Sequence, residues 1–267
     1  MEQDVTVKRT ITRYEGGRFS LKADDVVTEV PLTVKVNREE FATMVCTPTY
    51  MEELVIGFLA SEGLIRTAEE IRRLSLDASR GFADVELQGQ QYAGKDWHQK
   101  RFIASCCGKS RQFYFHNDAR TAKTIVSRDT ITAEQCIRLM RELQQSSVDF
   151  HKTGGLHNAA LCSPDGVLLI RSDIGRHNAI DKIYGSCLQQ RMSMKGKLLA
   201  VSGRISSEIL LKAAKLGVGL LLSKSAPTEL ALKLAEDLGI TVAGFIRGDS
   251  FNVYTYPERI VAGEGSL

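Results

Sequence analysis

The fold of this chain is decided by Leu198-Leu-Ala-Val201, Val218-Gly-Leu-Leu-Leu222 and Thr241-Val-Ala-Gly-Phe-Ile246, three apolar runs of strand length. Between them, Ser206–Leu216 and Pro227–Leu238 have the apolar spacing of helices. Strands that alternate with helices in this way predict a parallel sheet with crossover helices. In such sheets ligands bind beyond the carboxyl ends of the strands, so the turns that follow the three runs are the first place to look for a site.

Three turns follow these strands, and we expect them to lie together at one edge of the sheet. They are Ser202–Ser207, Ser223–Ser225 and Phe245–Ser250. The first is small, rich in hydroxyl groups and opens a helix, as phosphate-binding turns do, although it matches neither a Walker nor a Rossmann motif. Each turn also carries a cation, and the three cations are Arg204, Lys224 and Arg247. Together the turns favour a large phosphorylated ligand.

A further candidate anion site lies in Ser172-Asp-Ile-Gly-Arg-His-Asn-Ala-Ile-Asp-Lys182. Asn178 is predicted to cap the helix that follows, which places Asp173, Arg176 and His177 in the turn before a helix N-terminus. Backbone N–H groups and the helix dipole favour an anion there, and arginine adds a forked donor. The alternative is that Asp173 and Arg176 only pair with each other.

Two adjacent cysteines, Cys106 and Cys107, are the candidates for covalent chemistry. They lie between Arg101 and Lys109, and nearby positive charge lowers the pKa of a thiol and so increases the reactive thiolate. Residues 89–100 have no periodicity, so we expect the pair on or beside a mobile loop. The alternative is that both cysteines are small core residues, as most free cysteines are.

The first half of the chain is predicted to be mixed α+β. Alternating patterns predict one hairpin from Pro31–Val36 and Phe41–Cys46, and another from Ile71–Asp77 and Phe82–Leu87. Between the hairpins, Thr47–Gly63 has a start signal, helical apolar spacing and a glycine stop, which predict a packing helix.

Further elements are predicted on both sides of the cysteines. Val5–Arg13 alternates as a strand, and Val167–Arg171 is read as another. Thr132 with Gln135 forms a capping box that opens a helix through about Gln145. We therefore divide the chain into a mixed α+β domain over residues 1–121, with the reactive cysteines near its end, and an α/β domain over residues 122–267.

Composition restricts the class of protein. At 267 residues with 43% hydrophobic content, the chain is long enough for a substantial core. The charged N-terminus and the lack of any long apolar segment predict a cytoplasmic protein with no membrane span. A net charge of +3 is too small for a nucleic-acid-binding surface, so no nucleic acid is expected.

The six cysteines are read as reduced thiols because a cytoplasmic protein rarely keeps disulfides. Cys46 and Cys136 fall on apolar faces of predicted elements and are expected to be structural. Neither a Cys-x-x-Cys pair nor a histidine-rich tract occurs, so no metal, and zinc in particular, is expected.

Several of these stretches resemble one known family. They are Glu53–Gly63, Thr153–His157, Asp173–Lys182, Val201–Arg204 and Gly244–Asp249. Taken in order along nearly the whole chain, they are similar to the FdhD family, the formate dehydrogenase accessory sulfurtransferases. The run Asp-x-Gly-Arg-His-Asn-Ala-x-Asp-Lys is the most specific part of the match.

The resemblance implies a sulfurtransferase that acts as a sulfur carrier. Such a protein takes persulfide sulfur from a cysteine desulfurase and passes it to the molybdenum bis(molybdopterin guanine dinucleotide) cofactor, before that cofactor enters formate dehydrogenase. The resemblance also implies a homodimer. For the fold, it implies an α+β N-terminal domain followed by an α/β three-layer domain similar to the cytidine deaminase fold.

Site residues carry over from the family by position. Its Cys-Gly-x-Cys motif matches Cys107-Gly-Lys-Ser110, so Cys107 inherits the persulfide, while Ser110 replaces the second cysteine. Cys106, one place earlier, remains a candidate assisting thiol. The family's cofactor-binding segment corresponds to Phe245, Ile246, Arg247, Gly248, Asp249 and Ser250, with Gly203, Arg204, Lys224, Arg176 and His177 as further candidates.

Other functions remain open at this point. In a binding chaperone the thiols would be incidental, and the protein would only hold and hand over the cofactor. A deaminase-type zinc hydrolase would need His-x-Glu and Pro-Cys-x-x-Cys, and the chain has neither motif. A Cys–His hydrolase would need Cys107 beside His157 or His177, and nothing in the sequence places these residues together.

Overall fold

A computed structural model describes residues 4–88, 101–103, 124–126, 129–146 and 153–263 of this mixed α/β protein. Within this part of the chain, none of the helices has the length and the apolar content needed to cross a membrane.

The first half contains a two-stranded ribbon, a five-stranded sheet and one α-helix. Its elements are β1 (Thr6–Glu15), β2 (Arg18–Val27), β3 (Val30–Val36), β4 (Glu39–Cys46), α1 (Met51–Ser61), β5 (Ile71–Asp77), β6 (Phe82–Leu87) and β7 (Arg101–Ile103). Strands β1 and β2 pair only with each other, and the larger sheet has the order β5-β6-β3-β4-β7. Both predicted hairpins and the packing helix are confirmed.

The second half is built on a six-stranded sheet. Its elements are β8 (Ile131–Thr132), α2 (Ala133–Gln145), β9 (His157–Ser163), β10 (Gly166–Asp173), α3 (Arg176–Gln189), β11 (Leu198–Val201), α4 (Ser207–Leu216), β12 (Leu220–Ser223), α5 (Glu229–Leu238), β13 (Thr241–Arg247), β14 (Ser250–Thr255) and β15 (Ile260–Val261). The strand order is β10-β9-β11-β12-β13-β14, and β11, β12 and β13 are parallel, as predicted.

Local signals set the ends of the crossover helices. Ser206 caps α4 by accepting a hydrogen bond from the Ile209 amide, and Thr228 caps α5 in the same way. Both helices end at a glycine in the left-handed region, Gly217 with φ 95° and Gly239 with φ 70°. The Thr132 capping box also forms at the start of α2, as predicted.

The six-stranded sheet is the middle of three layers. Leu198, Ala200 and Leu222 point to one face, where they pack against α2. Leu199 and Leu221 point to the other face, where they pack in one core with residues of α3, α4 and α5. The likeness of this half to the cytidine deaminase fold stays a prediction, and so does the domain boundary at residue 121, which lies outside the described residues.

One core joins the two halves, because α1 packs directly on α3. A β-carbon at Gly57 would overlap the backbone oxygen of Asp181, and one at Gly185 would overlap the backbone oxygen of Glu53. The two helices therefore touch through their backbones, which only glycine permits. Side chains of β3, α1, α3 and β11 belong to the same hydrophobic cluster.

Candidate functional site

The predicted turns do gather at one edge of the six-stranded sheet. Strands β11, β12 and β13 end there, while the antiparallel neighbour β9 begins there with His157, and β10 ends there with Asp173. We call this line of strand ends the turn edge. Four strand spacings separate β10 from β13, so the turn edge extends over roughly 19 Å.

The last turn packs against the one before it. The Phe245 amide donates to the Ser225 carbonyl oxygen at 3.1 Å, and Arg247 Nε donates to the Lys224 carbonyl oxygen at 3.2 Å. Phe245 has φ 55°, and its side chain, like that of Arg247, is exposed. Ile246 is 1% exposed and packs in the core against α2, so its side chain is not available to a ligand.

Gly203 lets the first turn approach its neighbours closely. A β-carbon at Gly203 would lie 3.2 Å from His157 Nδ1 and 3.5 Å from the Arg176 side chain. The buried Ser223 hydroxyl donates to the Gly203 carbonyl oxygen at 2.7 Å, which ties the first two turns together. Arg204 is exposed.

Two histidines and an arginine meet where α3 begins. Burial lowers the pKa of His157, and the nearby Arg176 and His177 lower it further. Burial also lowers the pKa of His177, whose Nε2 lies 3.0 Å from Glu208 Oε2. Arg176 Nε is buried without a hydrogen-bond partner among the described residues. This corner of the turn edge therefore combines imidazoles that favour the neutral form with a donor that is not used within the described part of the protein.

Asp173 is fully buried in an ion pair and does not bind Arg176. Its Oδ2 lies 2.7 Å from Lys182 Nζ, and both side chains are 0% exposed. The Thr47 amide and hydroxyl donate to the same oxygen at 3.1 and 3.0 Å, and the Gly175 amide donates to Oδ1 at 2.8 Å. The alternative of an Asp173–Arg176 pair is therefore wrong, because the carboxylate is already satisfied by these partners.

The predicted cap of α3 is also wrong. The helix begins at Arg176 with Gly175 as its N-cap, so Arg176 and His177 lie in the first turn of the helix and not before it. Asn178 donates instead to the Asp173 carboxylate and to the Val45 carbonyl oxygen, both at 2.9 Å. The Asn178 side chain holds the first half of the chain against the second, which local sequence does not indicate.

The comparison with known sequences decides the family. A model of the FdhD/NarQ family matches residues 27–261. This chain belongs to the FdhD/NarQ family. It is 60% identical over 256 residues to the sulfur carrier protein FdhD of Geobacillus kaustophilus. The aligned region covers 96% of this chain and 97% of that protein. It is 56% identical over 260 residues to the protein of the same name from Bacillus subtilis, with 97% and 99% covered.

A solved structure shows the same fold at low sequence identity. The crystal structure of a candidate formate dehydrogenase accessory protein from Desulfotalea psychrophila superposes with a TM-score of 0.78 at 24% identity. The match covers 97% of this chain and 100% of that one.

The motif that suggested the FdhD/NarQ family divides into buried and edge-facing residues. Asp181 binds Lys212 Nζ at 2.5 and 2.7 Å and accepts from the Ser61 hydroxyl at 2.6 Å, deep between α1, α3 and α4. Asp173 and Lys182 are equally buried. Of the polar side chains in the motif, those of Arg176 and His177 are left at the turn edge.

His157 is a residue of the turn edge that the sequence analysis did not include among the ligand-binding candidates. From the sequence alone, His157 is a candidate only for the base of a Cys–His hydrolase. The signal was present in Thr153-Gly-Gly-Leu-His157, which is one of the stretches that resemble the family. Only the structure shows that His157 meets Gly203 and Arg176.

The cysteines in the described residues are all buried. They are Cys46, Cys136, Cys162 and Cys187. Burial raises the pKa of the first three to about 12 and that of Cys187 to about 11, so these thiols are poor nucleophiles near neutral pH. The structural roles expected for Cys46 and Cys136 are confirmed. Cys106 and Cys107 lie outside the described residues.

Across the described ranges, histidine, cysteine, aspartate and glutamate side chains nowhere come together in groups of three or more that could hold a metal ion.

Proposed function

We propose that this protein is a sulfur carrier for formate dehydrogenase and acts as a persulfide sulfurtransferase. Cys107 accepts sulfur from a cysteine desulfurase and passes it to the molybdenum bis(molybdopterin guanine dinucleotide) cofactor, which is the substrate here, before the cofactor enters formate dehydrogenase. The observation that carries the proposal is the 60% identity, over nearly the full length of both chains, with a protein named as a sulfur carrier. We place this sulfur transfer in the cytoplasm.

In the loading step, the bonds formed and broken balance, and the carrier needs no cofactor of its own. The Cys107 thiolate attacks the terminal sulfur of the desulfurase persulfide, the sulfur–sulfur bond of the donor breaks, and the desulfurase leaves as a thiolate. The product is a persulfide on Cys107. In delivery, the sulfur–sulfur bond of the persulfide breaks and Cys107 leaves as a thiolate with the bonding electron pair. The terminal sulfur, at the oxidation level of elemental sulfur, passes to the cofactor substrate, whose metal supplies the two electrons that reduce it to sulfide. In this proposal Cys106 is the assisting thiol.

The turn edge supports the binding of a large anionic substrate. Arg204, Lys224 and Arg247 form no ion pair with any carboxylate of the described residues, so their charges are available to pyrophosphate groups. Phe245, which is 39% exposed beside Arg247, offers an aromatic face to a guanine base. Arg176 adds a buried donor at the other end of the edge.

The topology supports access from the cysteines to the turn edge. Strand β7 runs parallel to β4, with Ile103 opposite Met44. Strand β4 leads directly to Thr47, which bonds Asp173 at the turn edge. Cys107 lies outside the described residues, but it follows Ile103 by only four residues in the sequence, and four residues of chain span at most about 14 Å.

The test of the proposal is sulfur loading followed by mass spectrometry. The protein is incubated with a cysteine desulfurase and free cysteine, digested without reductant, and the added sulfur is mapped to a peptide and residue. One added sulfur on Cys107, lost in Cys107→Ala and retained in Cys106→Ala, is the expected result. A loaded desulfurase with no sulfur on either cysteine would contradict the carrier function.

The second candidate function, a cofactor-binding chaperone without sulfur chemistry, rests on the turn edge alone. The cations of that edge would bind the same substrate whether or not the thiols react. Complementation separates the two functions: a carrier requires Cys107 for formate dehydrogenase activity, whereas a chaperone with Cys107→Ala would restore full activity. In both cases Cys107→Ala is expected to leave cofactor binding intact.

A further inference from the structure

A large cavity lies at the end of the six-stranded sheet that is opposite to the turn edge. Strand β11 begins there at Leu198 and β12 begins there at Leu220, while helix α4 ends there at Leu216. The cavity has a volume of about 770 Å³. Small-molecule sites in proteins have volumes of roughly 300–1,000 Å³. We call this space the far cavity, because the length of β11, roughly 13 Å, separates it from the turn edge.

One wall of the far cavity is apolar and is formed by the end of α3 and the loop that follows it. Its side chains are those of Tyr184, Cys187, Leu188, Met192 and Met194. A β-carbon at Gly217 would lie 3.9 Å from Met194 Cβ, so the loop packs against the end of α4. Methionine side chains are flexible and polarisable, and they adapt to apolar ligands of different shapes. This wall is suited to a hydrocarbon chain.

The rest of the lining is mainly cationic. Its charged side chains are those of Arg66, Lys195, Lys197 and Lys215, with Asp129 as the one carboxylate among the described lining residues. Arg66, Lys195 and Lys197 form no ion pair with a carboxylate in the described part of the chain. Lys197 Nζ donates to the Ser193 carbonyl oxygen at 2.6 Å, which is a neutral partner and leaves the positive charge uncompensated. The cavity therefore attracts an anion.

These lysines are not explained by the nearby helix ends. Lysine often lies at a helix C-terminus, where it balances the helix dipole, but this effect falls off within the last turn. Helix α3 ends at Gln189, and Lys195 and Lys197 come later in the following loop. The last carbonyl groups are also already bonded by the backbone: the Met192 amide donates to the Cys187 carbonyl oxygen at 2.9 Å, and the Gly217 amide donates to that of Ala213 at 3.0 Å.

The floor of the far cavity is held in place by buried hydrogen bonds. The Tyr184 hydroxyl donates to the Lys215 carbonyl oxygen at 3.1 Å, and Lys215 Nζ donates to the Ser61 carbonyl oxygen at 2.5 Å. Tyr184 is 9% exposed and Lys215 is 7% exposed. Since these side chains are already ordered, a ligand that binds here does not have to order them.

We propose that the far cavity is a second binding site, and that its ligand is an amphipathic anion, a carboxylate on a hydrocarbon chain. The carboxylate binds Lys195 and Lys197, and the chain packs against Met192 and Met194. A small inorganic anion would leave the apolar wall uncovered, and an apolar cation would be repelled by the lysines. The proposal does not depend on the sulfur carrier function, because it uses none of the residues of the turn edge.

Methyl NMR of the full chain tests the site without any change to it. The chain has six methionines, which are labelled with carbon-13 at their methyl groups and assigned by single Met→Leu variants. Dodecanoate should shift the signals of Met192 and Met194. Met44 and Met140, which are 2% and 1% exposed in other parts of the core, are internal controls and should not shift. If the Met192 and Met194 signals do not respond, or respond no more than the controls, the proposal is wrong.

Calorimetry with dodecanoate tests the role of the charges. We expect one molecule to bind per chain, and Lys195→Gln with Lys197→Gln should weaken its binding by about tenfold, since both ammonium groups that would bind the carboxylate are lost. The matched control, Lys22→Gln with Lys233→Gln, removes the same charge from two exposed lysines elsewhere and should leave the affinity unchanged. Equal affinities for the two double variants would overturn the proposal.

Two further ligands and one further variant test the role of the apolar wall. Acetate has the charge without the chain, and dodecyltrimethylammonium has the chain with the opposite charge, so both should bind at least about tenfold more weakly than dodecanoate. Met194→Trp fills part of the cavity and should abolish dodecanoate binding while the urea unfolding transition is retained. Undiminished binding to Met194→Trp, or equal binding of dodecyltrimethylammonium, would show that dodecanoate binds to another apolar surface and would contradict the proposal.

Discussion

At the scale of single residues, Gly203 is the position of the turn edge that lies against both His157 and Arg176. A β-carbon 3.2 Å from His157 Nδ1 forces His157 or Arg176 to move. We expect Gly203→Ala to weaken the binding of guanosine diphosphate, as a probe for the guanine dinucleotide, by about tenfold. Gly166→Ala is the control, because its nearest neighbour would be 3.9 Å away. Equal affinities for wild type and Gly203→Ala in calorimetry would show that this corner does not contact the nucleotide.

His157 and His177 predict how nucleotide binding depends on pH. Their pKa values lie below the ordinary value, chiefly because burial disfavours the charged imidazolium. A bound phosphate favours the charged form and raises these pKa values, so the complex takes up protons and affinity increases as the pH falls toward and below about 6.5. Calorimetry in buffers of different ionisation enthalpy measures this uptake, and His157→Gln should reduce it. No difference between His157→Gln and wild type would place the phosphate elsewhere.

At the scale of elements, the buried Asp173–Lys182 pair joins β4, β10 and α3. Asp173→Asn leaves the Lys182 ammonium buried without its counter-charge, which costs about 3–5 kcal/mol of unfolding free energy. Asp173→Asn with Lys182→Met removes both charges and should recover most of the loss. Lys22→Gln breaks an exposed pair and should cost less than about 1 kcal/mol. Urea unfolding measures the free energy of unfolding of all three variants. A small effect of Asp173→Asn would mean that water reaches Lys182.

The elements that sequence predicts well are those whose ends carry local signals. Strand Leu198–Val201 has the predicted bounds, and helix α4 begins one residue later than predicted, because Ser206 and Gly217 specify its ends. The start of α3 was wrong because Asn178 binds Val45, a partner 133 positions away. Strand β2 was not predicted, since its apolar side chains do not face the core of the chain.

The position of the turn edge in the fold can be predicted from the sequence, but the polar side chains that are available there cannot. Parallel topology is enough to bring the turns of β11, β12 and β13 together. The topology does not show which polar side chains are bound to buried partners inside the protein and which are not. Asp173 and Arg176 are three positions apart, yet one closes a buried network and the other carries a buried nitrogen without a partner. The inclusion of His157 depends on β9 running antiparallel to β11, which the sequence analysis did not predict.

At the scale of the whole molecule, the two halves are parts of one cooperative core. The backbone contact between α1 and α3 joins the halves, and so does the Arg171–Glu53 ion pair. The buried hydrogen bonds from Thr47 to Asp173 and from Ser61 to Asp181 also cross between the halves and leave little room for one half to open alone. The turn edge is formed mainly by the second half, but its corner at α3 is held by Thr47 and Val45 of the first. If the turn edge binds the substrate as we propose, that binding is expected to depend on the packing of both halves.

The buried thiols predict the alkaline stability of the whole protein. Each has a folded-state pKa of about 11 to 12, well above the value of about 8.5 for an exposed thiol. The unfolded chain therefore releases protons that the folded chain keeps, and stability is fully present below about pH 8.5 and is lost as the pH rises toward 11. Each thiol contributes up to about 1.4 kcal/mol per pH unit to this loss. Urea unfolding at pH 8, 9 and 10 measures the slope, and Cys136→Ala should make it shallower.

The same burial determines which thiols are available for sulfur chemistry. In the folded protein at pH 8, iodoacetamide should leave Cys46, Cys136, Cys162 and Cys187 unmodified, whereas in urea it should modify them all, as peptide mapping will show. Native alkylation of any of these four would mean that the core opens readily, and persulfide found there would then not be specific. If all four are protected, sulfur loaded onto the native protein can reside only on Cys106 or Cys107, since the chain has six cysteines in all. The division between inert and reactive thiols would then follow from the fold.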